Sequence, residues 1–342
     1  MKFTILGAGN TGKAYSAYLT SLGHQVVLYD RNPRRLAPIA DYGIQASGVV
    51  NGTFSVSVTD QIQQAVDSDI ILVCTTAAGH RPLAVALSGL LRQEQMILIT
   101  NCCWGGVEFD LELGQEADKK HCVIGEMGGQ LILCNSPAPH QVYLKTIKQS
   151  MALSCVHPEA VSAVLHRLRP IFPQLFPASS VLDTSLNNTN PVIHGPFLLF
   201  NATRLENGED YLLFRTGVPA HVAHVIEQVD HERVAVVRAC GVLARSELEL
   251  LNSFWPEPQN TLYDVLHKTP AYQVTRGPKT LNHRYFTEDL PYGLVPYLAL
   301  GRRLGVNTPV LASLIQLLSV YMQENYEAQG PDLLQLQLSR YL

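Results

Sequence analysis

Charge is scarce in this chain. Only 16% of its 342 residues are Asp, Glu, Lys or Arg, and 25 basic against 29 acidic side chains leave a formal net charge of −4 at pH 7. With a pI near 6.3 there is no basic excess to neutralise a phosphate backbone, so a nucleic-acid partner is not expected. Long apolar runs are missing too. The longest, such as residues 70–74 and 96–100, fall far short of the ~20 residues a membrane span needs, which gives the expectation of no membrane partner. Residues 2–6 already read as the first strand, so no leader is expected. The seven cysteines, Cys74, Cys102, Cys103, Cys122, Cys134, Cys155 and Cys240, are odd in number and contain no C-x-x-C pair. Neither a disulfide framework nor a zinc knuckle is expected, and apolar flanks make most of them small core residues in a reducing cytoplasm. His221 and His224 have i, i+3 spacing but no third ligand, so they read as helix-face histidines and no metal is expected. There is no internal repeat and no low-complexity segment.

What the chain does have is apolar material, 46% of its residues, and a length that makes two domains the default. The first half alternates β-branched runs with helical stretches. Residues 2–6, 25–29, 69–74 and 95–100 read as strands; 11–22, 33–40, 61–66 and 81–91 read as helical. Such alternation predicts βαβ units and a parallel sheet. Residues 123–134 and 141–155 turn strand-like without helices between them, where mixed or antiparallel strands would close the domain. Helix then dominates, over 158–168, 219–240, 294–304 and 310–321, after a polar, turn-prone stretch at 183–190. In 219–240, Val222, Val225, Ile226, Val229, Arg233, Val236, Val237 and Cys240 fall on one face, with Glu227, Gln228, Asp230, His231 and Glu232 opposite. The fold class is therefore an α/β Rossmann doubly wound sheet plus a C-terminal all-α domain. The boundaries expected are 1–183 for the dinucleotide-binding domain and 184–342 for a helical substrate domain.

The chemistry starts at Phe3-Thr4-Ile5-Leu6-Gly7-Ala8-Gly9-Asn10-Thr11-Gly12, a strand followed by G-x-G-x-x-G and an amphipathic helix. Gly7 permits the tight turn, Gly9 lets the backbone approach a pyrophosphate, and Gly12 lets helix and strand pack closely. The phosphates would lie at the helix N-terminus. Asp30, at the end of the second strand, is placed to accept from a ribose 2′-hydroxyl, which favours NAD. Arg31, Arg34 and Arg35 follow directly and suit a 2′-phosphate, so NAD or NADP stays open. Asn10, Thr11, Arg31 and Thr75, the last just after the third strand, complete the cofactor-binding candidates. His80 is a candidate neighbour of the nicotinamide, and Gln130, after a later strand, a candidate substrate contact.

Two stretches in the second half remain: Asn187-Asn188-Thr189-Asn190-Pro191-Val192-Ile193-His194-Gly195-Pro196, and Asn282-His283-Arg284-Tyr285-Phe286-Thr287-Glu288-Asp289-Leu290-Pro291-Tyr292-Gly293. Behind a Rossmann fingerprint, these segments resemble the helical domain of the opine dehydrogenases of the octopine/nopaline type, as does the long helix at 217–233. The resemblance covers the cofactor loop and most of residues 187–309, and is weaker across 100–185. It implies an NAD(P)H-dependent enzyme acting on CH–NH bonds, which condenses an amino acid with a 2-oxo acid and reduces the imine. It also implies a catalytic His194 partnered by Asp289, an Arg284 that holds the oxo acid, and a possible homodimer by family habit.

The residue types suit those roles. Asn190-Pro191 reads as a cap and first-turn proline, setting His194 near a helix N-terminus whose positive end lowers an imidazole's proton affinity. Asp289 would hold the imidazole tautomer, Arg284 offers a planar fork to a carboxylate, and Asn190 is a further substrate candidate. Without the resemblance, His194 reads equally as a cap or polar core residue, Asp289 as the N-cap of a helix starting near Pro291, and Arg284 as a surface side chain. Two other functions compete: a 2-oxo acid or ketopantoate-type reductase, and a non-catalytic NAD(P)-binding sensor. The first generally uses a lysine, and none lies between Lys148 and Lys268; the second requires none of His194, Arg284 and Asp289.

Overall fold

A computed structural model describes residues 1–333 and 336–342. The chain divides into two compact units, Met1–Thr184 and Ser185–Leu342.

Unit one is built on an eight-stranded sheet. Its strands are β1 (Lys2–Leu6), β2 (Gln25–Tyr29), β5 (Ser57–Thr59), β6 (Ile70–Val73), β7 (Met96–Ile99), β8 (Val123–Met127), β11 (Met151–Cys155) and β12 (Leu175–Pro177). Their spatial order is β12-β11-β8-β7-β6-β1-β2-β5. From β5 to β8 every neighbouring pair is parallel, and the order reverses at β1, the switch point where a doubly wound sheet binds its ligand. β6 and β7 are buried at every position, which is why their sequences are unbroken apolar runs rather than alternating ones. β11 runs antiparallel to β8, so the sheet does close with a mixed edge.

The other strands form something the sequence reading did not contain. β3 (Ile44–Gly48), β4 (Gly52–Phe54), β9 (Ile132–Asn135) and β10 (Gln141–Ile147) make a separate four-stranded sheet in the order β4-β3-β10-β9. It lies against α1 (Asn10–Ser21), and Lys13 of that helix donates to Pro139 O at 2.9 Å. The further helices of unit one are α2 (Pro33–Tyr42), α3 (Ile62–Ala65), α4 (His80–Leu87), α5 (Gly105–Lys119) and α6 (Val161–Leu168). α5 is also absent from the sequence reading, because Gly105, Gly106 and Gly114 depress its helix propensity. The glycines are there for packing: a Cβ on Gly105 would stand 2.7 Å from Ile99 Cγ2, and one on Gly106 3.0 Å from Val181.

α7 (Val181–Leu186) leads out of unit one. Unit two is helical: α8 (Thr189–Glu206), α9 (Leu213–Gly217), α10 (Ala220–Ala239), α11 (Glu247–Phe254), α12 (Leu262–Lys268), α13 (Pro270–Gln273), a π-helix (Tyr285–Leu294), α14 (Val295–Leu304) and α15 (Pro309–Met322). α8 is its central element, with the π-helix, α10 and α15 packed around it.

Residues 183–190 are not an exposed turn. They are helical on both sides of Asn187-Asn188 and buried up to Thr189. Several of their polar groups have distant partners. Asp183 accepts from Ser179, Thr184 Oγ1 donates to Glu126 Oε1 at 2.6 Å, and Asn187 Oδ1 accepts from Arg233 and from Arg245 N. Arg233, fully buried, donates through Nε and Nη2 to Asp230 Oδ1 at 2.9 and 2.7 Å, and through Nη1 to Leu186 O. Asp230 therefore faces inward with Arg233, not outward as its charge had suggested, because a buried cation needs a counter-charge.

Among the described residues no helix is long and apolar enough to cross a membrane, and no group of three His, Cys, Asp or Glu is arranged to hold a metal ion. His221 and His224 are exposed on α10.

Candidate active site

The glycine loop of unit one has the geometry a dinucleotide needs. Gly7 has φ of +109°, a conformation other residues adopt only under strain. A Cβ at Gly12 would stand 1.8 Å from Gly7 O, so α1 can approach β1 only at a glycine. Gly9 has nothing within 4 Å of where its Cβ would be, an open approach above the first turn of α1, which no side chain caps. Asn10 is exposed there. Thr75, whose methyl lies against Gly7, has a buried Oγ1 with no hydrogen-bond partner. Open backbone, free helix N–H groups and a spare hydroxyl fit a pyrophosphate.

Asp30 is 6% exposed, and both its oxygens are engaged: Oδ2 accepts from Ala8 N and Oδ1 from Asn32 N, each at 2.9 Å. The residue thus ties the glycine loop to the end of β2. Arg35 Nη1 is 3.5 Å from its carboxylate, while Arg31 and Arg34 are exposed beside it. Gln130, expected to contact substrate, donates through Nε2 to Thr11 Oγ1 at 2.9 Å beside the cofactor loop. His80 does not open onto that surface either. It is completely buried, its ring edge-on to Phe109, Nδ1 3.9 Å from Glu108 Oε2, and burial lowers its pKa to about 4.

Unit two holds a second cluster. His194 projects from α8, and its Nδ1 is 2.9 Å from Asp289 Oδ2, with both side chains buried. Two glycines allow this contact. A Cβ on Gly195 would stand 2.4 Å from Leu294 Cδ1, and one on Gly293 2.2 Å from Pro191 Cγ. With hydrogen at both positions, α8 and the π-helix pack closely enough for His194 to reach Asp289.

The local structure differs from the sequence expectation in three ways. Asn188, not Asn190, caps α8, its Oδ1 accepting from Asn190 N at 3.1 Å. His194 therefore sits in the second turn, where backbone N–H groups are already bonded and the dipole is weak. Burial is the main reason its proton affinity is lowered; the Asp289 carboxylate works the other way, and Arg284 adds to the lowering. Asp289 caps nothing, since the π-helix runs through it to Leu294. Pro291 lies inside that helix, and its missing N–H suits the wider register.

Arg284 is partly exposed, its side chain 37% accessible, but it is anchored at its inner end. Its Nη1 donates to Glu288 Oε2 at 2.8 Å, and Glu288 is 1% exposed. Burial works against the guanidinium charge, but Glu288 and Asp289 outweigh it and keep the group protonated. Glu288 was missed in the sequence, although its position four residues after an arginine in a helix is a readable signal. Tyr285 was missed as well: its ring is stacked on His194, centroids 3.6 Å apart. Asn190 is half-buried in the first turn of α8.

Fold and glycine loop define the class: an NAD(P)-dependent oxidoreductase with a Rossmann unit and a helical second unit. Residues 177–322 match the family model for the alpha-helical domain of NAD/NADP octopine/nopaline dehydrogenase, and residues 3–153 match that of ketopantoate reductase PanE/ApbA. An opine dehydrogenase of Arthrobacter sp. (strain 1C) is 31% identical over 341 residues, 98% of this chain and 95% of that one. The fold is shared with yersinopine dehydrogenase bound to NADP+ (TM-score 0.76, 18% identity, 99% of this chain and 96% of that one). It is also shared with octopine dehydrogenase in complex with NADH and agmatine (TM-score 0.74, 16% identity, 94% and 90%). The chain belongs to the opine dehydrogenase family, oxidoreductases acting on CH–NH bonds through reductive condensation of an amino acid with a 2-oxo acid. Ketopantoate reductase is a related family that shares the first unit.

Proposed function

We propose that His194 is the general acid and base of this condensation, that Asp289 orients and charge-stabilises it, and that Arg284 binds the carboxylate of the 2-oxo acid. The observation that carries the reading is the buried 2.9 Å contact between His194 Nδ1 and Asp289 Oδ2, with Arg284 at the N-cap of the π-helix that carries Asp289. Asp289 accepts a hydrogen bond from Nδ1–H and fixes that tautomer, so Nε2 is the nitrogen that exchanges protons. The amine attacks the carbonyl carbon, and Nε2–H protonates the oxygen that leaves as water when the imine forms. Arg284, with one nitrogen held by Glu288, keeps a fork free for the oxo acid's carboxylate. Gly7, Gly9, Asn10, Thr11, Gly12 and Thr75 would hold the pyrophosphate side of NAD(P)H, with Asp30 and Arg31 at the adenosine ribose. Bound there, the cofactor supplies the hydride that reduces the imine carbon. Asn190 and Gln130 are assigned to the substrate side, Gln130 through a side chain that also bonds Thr11 of the cofactor loop.

The reading extends to a homodimer in a reducing cytoplasm. Exposed Phe200 of α8 and Leu317 and Val320 of α15 support the first, and seven free cysteines the second. Light scattering on the purified protein tests the dimer.

For the chemistry, NADH and NADPH oxidation are followed with 2-oxo acids alone and then with amino acids added. Turnover that requires both substrates is expected. Turnover with the oxo acid alone would make the protein a 2-hydroxy acid dehydrogenase, and tight cofactor binding without turnover on a broad panel would make it a sensor. His194→Gln should leave cofactor affinity unchanged and lower kcat at least ~100-fold.

A further inference from the structure

The contact at Nδ1 does not by itself hold the His194 ring. A single hydrogen bond leaves an imidazole free to swing about the line of that bond, and Nε2 swings with it. The second restraint in this structure is Tyr285. Its ring lies on the imidazole with centroids 3.6 Å apart and planes inclined by 20°. Tyr285 is in turn held by edges: Phe197 stands at 90° to it with centroids 6.3 Å apart, and His283 at 83° and 4.4 Å. The Arg284 guanidinium carbon lies 5.4 Å from the Tyr285 centroid. The imidazole is thus clamped between a carboxylate at its edge and an aromatic face on its plane.

We propose that Tyr285 is a positioning residue for the reaction, its ring fixing the plane of His194 so that Nε2 faces the reacting carbonyl, and its π face stabilising the imidazolium that forms when His194 carries the proton. This rests on the reading of His194 as the proton carrier. Burial pushes the phenol up to about 12, which makes it a much weaker proton donor than an imidazolium at neutral pH. What Tyr285 contributes is its face, which attracts a cation, most strongly where water is excluded. Burial disfavours the imidazolium at His194 and Asp289 opposes that; the aromatic face lying on the ring acts in the same direction as Asp289.

The other groups that act on His194 are few. Arg284 and His283 lie just before the π-helix, and burial, then Arg284, lower His283 to about 4, leaving it neutral. On α10, Asp230 and Arg233 face each other and the Leu186 carbonyl, and Glu247 of α11 acts on Arg233. Glu249 of α11 is held by Ser246. On α8 itself Arg204 pairs with Glu209 and Glu206 accepts from Tyr321, while Arg215 of α9 is exposed. α15 carries no charged side chain.

The test uses the full chain with labelled histidine, titrated by NMR in the absence of substrate, His194→Gln identifying the resonance. Wild type and Tyr285→Phe should share one His194 pKa, because the face is kept. Tyr285→Leu should lower it by about one pH unit, move the acidic limb of kcat/KM in the same direction and cut kcat about tenfold, with cofactor Kd unchanged. Pentafluorophenylalanine at position 285 keeps the ring's shape and reverses its quadrupole; it should lower the pKa as well, and serves if the leucine variant does not fold. An unshifted titration in Tyr285→Leu or in the fluorinated protein overturns the proposal, as does a Tyr285→Phe as impaired as Tyr285→Leu. If His194→Gln retains full turnover, the assignment of His194 fails, while the titration still judges the stack.

Discussion

Glu108 lies on α5 with a side chain only 11% exposed, beside a His80 that is completely buried. Burial, against the weaker opposing pull of Arg81, raises its carboxyl from the ordinary 4.5 to about 7. One oxygen, Oε2, is buried and has no hydrogen-bond partner, and neither ring nitrogen of His80 has one. The folded protein therefore prefers Glu108 protonated. A group whose pKa is raised on folding contributes stability below its unfolded value and loses it as pH climbs through the folded one. The loss runs from about 4.5 to about 7. At 1.36 kcal/mol per pKa unit the difference between those values makes ionised Glu108 cost about 3 kcal/mol above pH 8. His80, depressed from 6.5 to about 4, has the opposite sign: its contribution is present above 6.5 and is lost as pH falls through about 4. Glu108→Gln removes the first effect and leaves the second. Urea unfolding followed by the fluorescence of Trp104, buried just before α5, reads it out, in a Trp255→Phe background so that unit two is silent. The variant should match the parent near pH 4.5 and exceed it by up to about 3 kcal/mol at pH 8. A difference that is the same at both pH values would refute the reasoning, because the stabilisation would then owe nothing to ionisation.

Three further outcomes are expected. Gly12→Ala, whose new methyl would collide with the Gly7 carbonyl, should weaken NADH and NADPH binding at least about tenfold by fluorescence titration. Asp289→Asn keeps the shape of the side chain but offers the wrong partner to Nδ1–H, so kcat should fall roughly 10³-fold with cofactor Kd unchanged. Glu288→Gln takes the counter-charge from Arg284 and should raise KM for the 2-oxo acid about tenfold while changing kcat less.

The Rossmann unit was legible because its signals are local. Gly7, Gly9 and Gly12 report a turn and a close approach within six residues, and the buried strands β6 and β7 announce themselves as apolar runs. The four-stranded sheet β4-β3-β10-β9 was not legible. Its strands come from two segments roughly ninety residues apart, and short, half-polar strands carry little pattern until they are paired. α5 was hidden by glycines that serve packing, and the polar stretch at 183–190 looked solvated because its partners, Glu126 and Arg233, are distant in the chain.

The candidate site divides along the same line. Residue type and local order by themselves determined that a dinucleotide loop is present, that His194 follows a proline near the start of a helix, and that Arg284 and Asp289 share one short segment. Only the tertiary structure decided that His194 meets Asp289 across 95 positions, that Glu288 holds Arg284, and that Tyr285 lies flat on the imidazole. The physical reason is the close approach of two helices. It depends on a missing side chain at Gly195 and another at Gly293, and no local pattern tells which distant helix each glycine will admit.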